Sequence, residues 1–418
     1  MRNVPHGILF GIALAAVGNA AAIAGIDKQD FRLIERGRYL AIVGDCAACH
    51  TLPGSGHAYA GGRTIETPFG ELFAPNITPD PVTGIGAWTD DEFIDAMTKG
   101  TGRAGTHLYP AMPYTYYTKV TADDALAIRA YLNTVPAVHN PVTADQLPFP
   151  LNVRASMIVW NTLFFTPGEF HARADKSEEW NRGAYLAEGL GHCGLCHTPK
   201  NFLGGDKTGE RLQGYALQGW FAADITNDRR RGLGDWSVDD IASYLKFGHG
   251  RNTFGTGLMA ETIGQSTSRM TDADLKAIAT YLKDPPDKKA SATQNQSNVA
   301  SDRTDMKIGA KIYLDECSGC HGADGKGSTG LFPTLGGSAI VQQTDAASLM
   351  HVVLRGARSV ATSQAPTAPA MPQFAWVLTD DQVAAVLTYI RNSWGNSASA
   401  VDADDVRKAR HAFVERGD

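Results

Sequence analysis

Cys46-Ala-Ala-Cys49-His50 has a spacing that occurs twice more in the chain, as Cys193-Gly-Leu-Cys196-His197 and Cys317-Ser-Gly-Cys320-His321. Two thiols three positions apart lie on one helical turn, where they can add to the two vinyl groups of a haem. The histidine that follows then lies beneath the ring, and one of its imidazole nitrogens can bind the iron. This spacing is the attachment signature of c-type haem.

Two other interpretations of the motif are half of a zinc site and a redox-active pair of thiols. The three copies use all six cysteines of the chain. A structural zinc ion needs four ligands, and no second Cys-x-x-Cys or His-x-x-x-His segment lies near any copy. The pattern therefore favours three covalently bound haems c over zinc or dithiol chemistry. The predicted attachment residues are Cys46, Cys49, Cys193, Cys196, Cys317 and Cys320, and the predicted histidine ligands of iron are His50, His197 and His321.

The N-terminal segment 1–24 has the three parts of a secretory signal peptide. Arg2 forms a short positive region, residues 7–17 are apolar, and Ala22-Ile23-Ala24 is a small-residue cleavage site. An uncleaved anchor helix is the weaker interpretation, because the apolar run falls short of about 20 residues. The formal net charge of −6 comes without a basic block, which argues against nucleic acid as a partner.

Internal repeats divide the 418 residues into three units, each with one attachment segment. Phe73-Ala-Pro-Asn-Ile-Thr returns as Phe221-Ala-Ala-Asp-Ile-Thr, and Gly84-Ile-Gly-Ala-Trp88 returns as Gly232-Leu-Gly-Asp-Trp236, both at an offset of 148 residues. Units one and two are therefore duplicated copies. Unit one is predicted over residues 28–138, unit two over 176–284 and unit three over 305–395.

Each unit is predicted to open with a short helix that carries a glycine and a tyrosine and to close with an amphipathic helix. The opening pairs are Gly37/Tyr39, Gly183/Tyr185 and Gly309/Tyr313. The closing helices follow a threonine cap and an acidic first turn, at Thr121, Thr271 and Thr379. The glycine would let the two helices approach closely, with the tyrosine packed between them. This arrangement resembles the class I cytochrome c fold, so the fold class is predicted to be mainly α, with three tandem haem domains of that type.

Three further segments lie outside these units. Residues 139–175 form an aromatic-rich connector, whose apolar run from Met157 to Phe165 is predicted either to pack between the domains or to dock a partner. Residues 285–304 are a predicted flexible linker, which would tether unit three. Residues 396–418 are a polar tail with a short helix at 402–415, for which plain solvation is favoured over contact with a membrane or partner.

A low-spin electron carrier needs a sixth iron ligand, and methionine opposite histidine raises the reduction potential. The predicted ligands are Met112 and Met371, each in a Pro-Ala-Met-Pro segment, and Met259 in unit two. The spacing from histidine to methionine is 62 positions in units one and two and 50 in unit three. Met270 competes with Met259 but lies against the cap of the closing helix. If Met259 is not a ligand, the second haem would be five-coordinate and open to small molecules.

Other residues are predicted to contact the haems indirectly. The carbonyl groups of Pro53, Pro199 and Pro333 could accept a hydrogen bond from the iron-binding histidines. Trp88, Trp236, Arg103 and Arg251 could meet haem propionates, with a packed tryptophan and a surface arginine as the alternatives.

These motifs together resemble one family, the triheme cytochrome c subunits of bacterial membrane-bound dehydrogenases. The resemblance spans nearly all of residues 28–394. Besides the attachment segments it rests on Asn76-Ile-Thr-Pro-Asp80, Gly84-Ile-Gly, Tyr109-Pro-Ala-Met-Pro113 and the segment from Gly189 to Asn201. The partner dehydrogenases of this family use pyrroloquinoline quinone, flavin or molybdenum cofactors and oxidise alcohols, sugars, sugar acids or aldehydes.

The resemblance implies an electron-transfer role with no catalytic residues in this chain. A separate catalytic subunit would oxidise its substrate in the periplasm, and the haems would carry electrons to ubiquinone or another respiratory acceptor, such as a terminal oxidase. The complex would lie at the periplasmic face of the inner membrane. A free periplasmic shuttle is one alternative. A peroxidase-like haem enzyme is the other, and it would need a five-coordinate iron.

Overall fold

The computed structural model describes residues 30–250, 253–285 and 299–416. The predicted signal peptide, Arg251 and most of the predicted linker lie outside these ranges. The described chain is largely helical, with four short two-stranded antiparallel hairpins. Within these ranges no helix is long and apolar enough to cross a membrane.

Units one and two contain similar elements in the same order. Those of unit one are α1 (Phe31–Val43), α2 (Cys46–His50), β1 (Thr64–Thr67), β2 (Gly70–Phe73), α3 (Asp90–Lys99), α4 (Tyr114–Tyr117) and α5 (Ala122–Leu132). The connector contributes α6 (Ser156–Phe164). Unit two has α7 (Glu178–Tyr185), α8 (Cys193–His197), β3 (Tyr215–Leu217), β4 (Trp220–Ala222), α9 (Val238–Phe247), β5 (His249–Gly250), β6 (Thr253–Phe254), α10 (Gly257–Gln265) and α11 (Asp272–Lys283).

Unit three is shorter and is followed by one more helix. Its elements are α12 (Thr304–Ile312), α13 (Ser318–His321), α14 (Ala347–Arg355), β7 (Ala357–Arg358), β8 (Ala370–Met371), α15 (Asp380–Arg391) and the tail helix α16 (Ala403–Arg416). Single turns of 3-10 helix occupy 103–105, 208–210 and 267–269, and π-turns occupy 186–190 and 313–317.

The three closing helices begin where their caps predict. Thr121, Thr271 and Thr379 each accept a hydrogen bond from the backbone N–H three residues on, which satisfies one of the free donors of the first turn. The side chain of Gln382 also accepts a hydrogen bond from the Thr379 backbone N–H, which completes a capping box.

A glycine lies where the opening and closing helices of each unit cross. A Cβ atom on Gly37 would lie 1.7 Å from the carbonyl oxygen of Ala127, and the equivalent distances are 1.9 Å for Gly183 and 2.2 Å for Gly309. Real Cβ atoms essentially never approach a neighbouring atom below 3.0 Å. The predicted close approach of α1 to α5, of α7 to α11 and of α12 to α15 is confirmed.

The tyrosines of units one and two also join the two units to each other. The Tyr39 hydroxyl donates to Asp274 Oδ2 at 2.6 Å, and the Tyr185 hydroxyl donates to Asp124 Oδ2 at 2.5 Å. Each acceptor lies in the first turn of the closing helix of the opposite unit, so the two contacts are reciprocal. In unit three the Tyr313 ring packs against Tyr389 on the closing helix, with ring centroids 5.7 Å apart.

The buried apolar side chains form two cores. One extends through units one and two, from Leu40 to Leu282. The other lies in unit three and includes Val406 and Phe413 of α16. The tail helix is therefore packed on unit three, which corrects the prediction that the helix at 402–415 is solvated. Arg410 stabilises the packing of this helix, because its guanidinium donates to Asp380 at 2.7 Å and to two backbone carbonyls.

Unit three also has specific contacts with unit two, in addition to the predicted tether. The Trp220 ring stacks on His351 with centroids 3.9 Å apart. The backbone N–H of Phe221 donates to Ser348 Oγ at 2.8 Å, and the Arg230 guanidinium donates to Gln342 at 2.6 Å.

The connector packs on unit one by one face and leaves the other exposed. Tyr109 donates to the Leu151 carbonyl and Tyr114 to Asn161, each at 2.7 Å. Within α6 only Met157 is buried. We define the connector face as the exposed apolar side chains of this segment and of the turn it contacts in unit two: Phe149, Val153, Ile158, Val159, Leu163, Phe202 and Leu203. The prediction of packing between domains therefore holds for only part of the connector.

Candidate haem sites

The cysteines of each unit follow the opening helix and begin a short helical segment. In units one and two a left-handed residue precedes the first cysteine, with φ of 51° at Asp45 and 35° at His192. All six cysteines are free of disulfide bonds. Burial raises the pKa of Cys46 to about 12 and that of Cys193 to about 11. Redox-active thiols need lowered pKa values, so these surroundings disfavour a redox-active pair.

The three motif histidines present one ring nitrogen to the protein backbone. His50 Nδ1 lies 2.7 Å from the Pro75 carbonyl oxygen, His197 Nδ1 2.6 Å from that of Ala223, and His321 Nδ1 3.0 Å from that of Pro333. Burial lowers the pKa of all three imidazoles. A neutral ring that donates through Nδ1 leaves the Nε2 lone pair available to iron.

Pro333 was predicted correctly as an acceptor, but Pro53 and Pro199 were not. The acceptors in units one and two are Pro75 and Ala223, which occupy equivalent positions of the repeated segment after β2 and β4. The Pro199 carbonyl instead accepts from the Lys207 N–H at 2.8 Å. The repeated segments that begin at Phe73 and Phe221 contain these two acceptors. Their repetition indicated the contact, because a loop duplicated together with a histidine is expected to keep the same interaction with it.

One continuous cavity of about 740 Å³ lies between units two and three. Two complete sets of predicted haem residues line it: Cys193, Cys196, His197 and Met259 from unit two, and Cys317, Cys320, His321 and Met371 from unit three. The remaining lining is mainly apolar, including Leu233, Ile241, Val353 and Leu387. Thiols, an imidazole with a free nitrogen, a thioether and an apolar wall are the groups that a covalently bound haem requires, so the residues fit this cofactor.

The three predicted methionine ligands lie in different local structures. Met112 is in a turn, where its N–H donates to Tyr109 and its carbonyl accepts from the Tyr114 N–H. Met371 lies on β8, paired with Ala357 of β7. Met259 lies in the first turn of α10, and both it and Met270 line the cavity. Met270 is 2% exposed and directly precedes the Thr271 cap, as predicted.

The unit one residues lie at the boundary with unit two. Cys46 and Met112 pack against the core that the two units share. Arg63 donates to the Ala48 carbonyl, inside the first attachment segment, and pairs with Glu261 of α10, with Nη2 2.8 Å from Oε2. The His192 ring, beside Cys193, lies 3.4 Å from the carbonyl oxygen of Gly44, two residues before Cys46. The first two attachment segments therefore approach each other.

Of the predicted propionate contacts, Trp236 lines the cavity and Trp88 packs against the shared core. Arg103 lies 3.8 Å from Glu92. Sequence reasoning missed the arginines at 229–231, which also line the cavity. The sequence does distinguish these three arginines, because the equivalent segment of unit one reads Pro81-Val-Thr83. Guanidinium groups suit carboxylates, so three consecutive arginines indicate a possible contact with haem propionates.

Comparison with known proteins identifies the family. The cytochrome c family matches residues 34–136 and 306–394. The chain is 39% identical to the gluconate 2-dehydrogenase cytochrome c subunit of Pantoea cypripedii, over 93% of this chain and 92% of that protein. It is 38% identical to the cytochrome c subunit of the quinone alcohol dehydrogenase of Gluconacetobacter polyoxogenes, over 96% and 89%. It is 37% identical to the fructose dehydrogenase cytochrome subunit of Gluconobacter japonicus, over 90% and 82%. From its attachment motifs and these relatives, the chain belongs to the cytochrome c subunits of dehydrogenases.

Proposed function

We propose that this chain is a triheme electron-transfer subunit with one cytochrome c domain in each unit. It carries electrons from the catalytic subunit of a periplasmic dehydrogenase to ubiquinone or another respiratory acceptor. The observation that carries the proposal is the single cavity lined by two complete sets of haem residues, together with a third set in the duplicated unit one. The relatives, which are cytochrome c subunits of gluconate, alcohol and fructose dehydrogenases, support the choice of partner.

In this proposal the haems supply one-electron chemistry and the chain holds and tunes them. The six cysteines would anchor the porphyrins, and the three histidines would bind iron through Nε2. The carbonyls of Pro75, Ala223 and Pro333 fix the imidazole orientation. Met112, Met259 and Met371 would supply the sixth ligands. The shared cavity of units two and three and the contact at Arg63 support electron transfer between neighbouring sites.

Three low-spin haems are the expected result when the purified, haem-loaded chain is titrated and followed by optical and EPR spectroscopy. None should bind carbon monoxide, because each iron has histidine and methionine ligands. A haem count below three contradicts the triheme proposal. A high-spin haem that binds carbon monoxide favours the haem-enzyme alternative, since an open iron position is what a peroxidase-like reaction needs.

We further propose that the connector face binds the catalytic subunit. Its exposed side chains are aliphatic and aromatic, with Val159 64% and Leu163 61% exposed, and no charged residue occurs from 155 to 168. Exposed apolar patches of this kind mark interaction sites. The face adjoins the loop of Met112 through Tyr109 and Tyr114, so a subunit bound there lies beside the first haem site.

The double variant Ile158→Glu/Leu163→Glu is expected to lose co-purification with the catalytic subunit while keeping its haem spectrum, because both side chains are exposed and belong to neither buried core. Ile308→Glu, at an exposed position of unit three, is the matched control and should keep the complex. Binding of the isolated wild-type chain, but not the double variant, to phospholipid vesicles would instead assign this face to the membrane. Unchanged co-purification of the double variant would contradict the docking proposal.

Export to the periplasm completes the proposal. Its support is the sequence pattern of residues 1–24 and the haem attachment that the family resemblance implies outside the cytoplasm. N-terminal sequencing of the mature chain tests it, with cleavage expected after Ala24. A mature chain that retains residues 1–24 would contradict it.

A further inference from the structure

Asp45 places a carboxyl group between the first two haem-attachment segments. It directly precedes Cys46 in the first segment, and it lines the cavity that contains Cys193 and Cys196 of the second. Its backbone is left-handed, with a φ of 51°. Its Oδ1 atom is buried and has no hydrogen-bond partner among the described residues. None of the roles described above, in haem attachment or iron binding, uses this group.

The positive charge with the largest effect on Asp45 is already paired with another acid. Arg63 forms an ion pair with Glu261 on α10 and also donates to the Ala48 carbonyl. Gln265 donates a further hydrogen bond to Glu261 at 3.1 Å. Glu261 and Arg63 neutralise each other, so an ionised Asp45 is the excess negative charge of this cluster.

The other groups facing Asp45 provide only partial compensation. Burial, and then Glu261, raise the pKa of Asp45, while Arg63, a hydrogen bond from Thr262 and, least of all, Arg269 lower it, which leaves it at about 7. The His192 ring, from the equivalent position of unit two, contacts the neighbouring Gly44 carbonyl at 3.4 Å. Burial lowers the pKa of His192, so this ring is neutral and adds no positive charge.

Resting on the triheme function proposed above, we propose that Asp45 takes up one proton when an electron enters the first or second haem site. The reduced dehydrogenase partner supplies the electron and solvent supplies the proton, which binds the carboxylate at Oδ1. An added electron would remove one positive charge from the neighbouring site, so the Asp45 carboxylate would lose a favourable neighbour and its proton affinity would rise. On reoxidation the electron leaves to the acceptor and the proton returns to solvent. Electron transfer through this boundary is therefore linked to a proton.

The sign of the effect follows from this linkage. The pKa of Asp45 is lower when the neighbouring haem is oxidised than when it is reduced. Between these two pKa values the reduction potential of that haem falls as pH rises, and outside them it is constant. The slope is at most about 59 mV per pH unit, because a tenfold change in an equilibrium constant corresponds to 59 mV for one electron.

Spectroelectrochemical titration of the haem-loaded full chain tests the proposal between about pH 5 and pH 9, a range that brackets a carboxyl group titrating near neutrality. The wild type should show one or two haem potentials that fall with pH near neutrality. Asp45→Asn should abolish that slope, because the amide keeps the shape but binds no proton. Glu316→Gln is the matched control: Glu316 also directly precedes a haem cysteine but is exposed, so this variant should keep the slope.

Infrared difference spectra between the reduced and oxidised states give a second readout. The wild type should gain the C=O stretch of a protonated carboxylic acid on reduction, and Asp45→Asn should lack it. If Asp45→Asn does not incorporate haem, Glu261→Gln replaces it. Removing that neighbouring negative charge should move the pH-dependent region of the wild-type curve to lower pH.

The proposal is overturned if the slope and the infrared band persist in Asp45→Asn, or if Glu261→Gln leaves the pH-dependent region in place. A wild-type chain whose three potentials do not change with pH also overturns it. None of these results contradicts the proposed electron-transfer function. That role fails separately, when the purified chain contains fewer than three haems or an iron open to carbon monoxide.

Discussion

Gly183→Ala is expected to destabilise the protein by about 3 kcal/mol, the upper part of the usual range for overpacking a close contact. The added Cβ would lie 1.9 Å from the carbonyl oxygen of Ala277 and 2.4 Å from its carbonyl carbon. Both are backbone atoms of α11, so no side-chain rotation relieves the clash. The helices α7 and α11 have to separate, which also disturbs the contact between Tyr39 and Asp274.

Gly209→Ala is the matched control for this variant. Gly209 lies in the same unit, and a Cβ atom there would meet no heavy atom within 4 Å. Its effect should stay within about 0.5 kcal/mol, as for surface substitutions away from special features. Guanidinium denaturation of the haem-loaded chain, followed by circular dichroism, measures both variants. Equal unfolding midpoints for Gly183→Ala and Gly209→Ala would contradict the requirement for glycine at the helix crossing.

The helix crossing was predictable because it depends on rules that act within a few residues. A glycine beside a tyrosine in an opening helix and a threonine cap with acidic residues in a closing helix occur in all three units. Their repetition indicated one local design used three times. The attachment segments followed from the same kind of evidence, since the spacing of two thiols and a histidine is itself the chemical requirement.

Features that depend on how the units meet could not be predicted this way. A duplicated sequence does not determine which surfaces the two copies turn toward each other, so the reciprocal bonds of Tyr39 and Tyr185 were missed. The acceptor for His50 lies 25 residues away at Pro75, after a hairpin whose return path is a tertiary property. The tail helix looked polar because only a few of its apolar residues, Val406 and Phe413 among them, are needed to pack it on unit three.

The sixth ligand of the second haem site could be predicted only in part from the sequence. Both candidates, Met259 and Met270, line the same cavity. The sequence predicts Met259, because its spacing from His197 equals that from His50 to Met112. It lies in the first turn of α10, which starts after Thr256, and its side chain is partly buried. Met270 is almost fully buried in the core shared by units one and two and directly precedes the cap of α11. These surroundings support the proposal that Met259 is the ligand and Met270 a packing residue.

Met259→Ala is therefore expected to convert one haem of three from low-spin to high-spin and to make it bind carbon monoxide. The reduction potential of that haem should fall, because the methionine thioether raises it. Optical and EPR spectra of the haem-loaded variant, before and after addition of carbon monoxide, measure the change.

Met270→Ala separates coordination from packing, because it removes a thioether from the same cavity. Truncating a buried methionine leaves a void, so this variant should lose about 2–5 kcal/mol of stability. Its three haems should nevertheless stay low-spin. The opposite pattern, with a high-spin haem in Met270→Ala and three low-spin haems in Met259→Ala, would move the ligand to Met270. The equal spacing in units one and two would then reflect only the common ancestry of the repeats, since duplication preserves distances along the chain even where the bond to iron has changed.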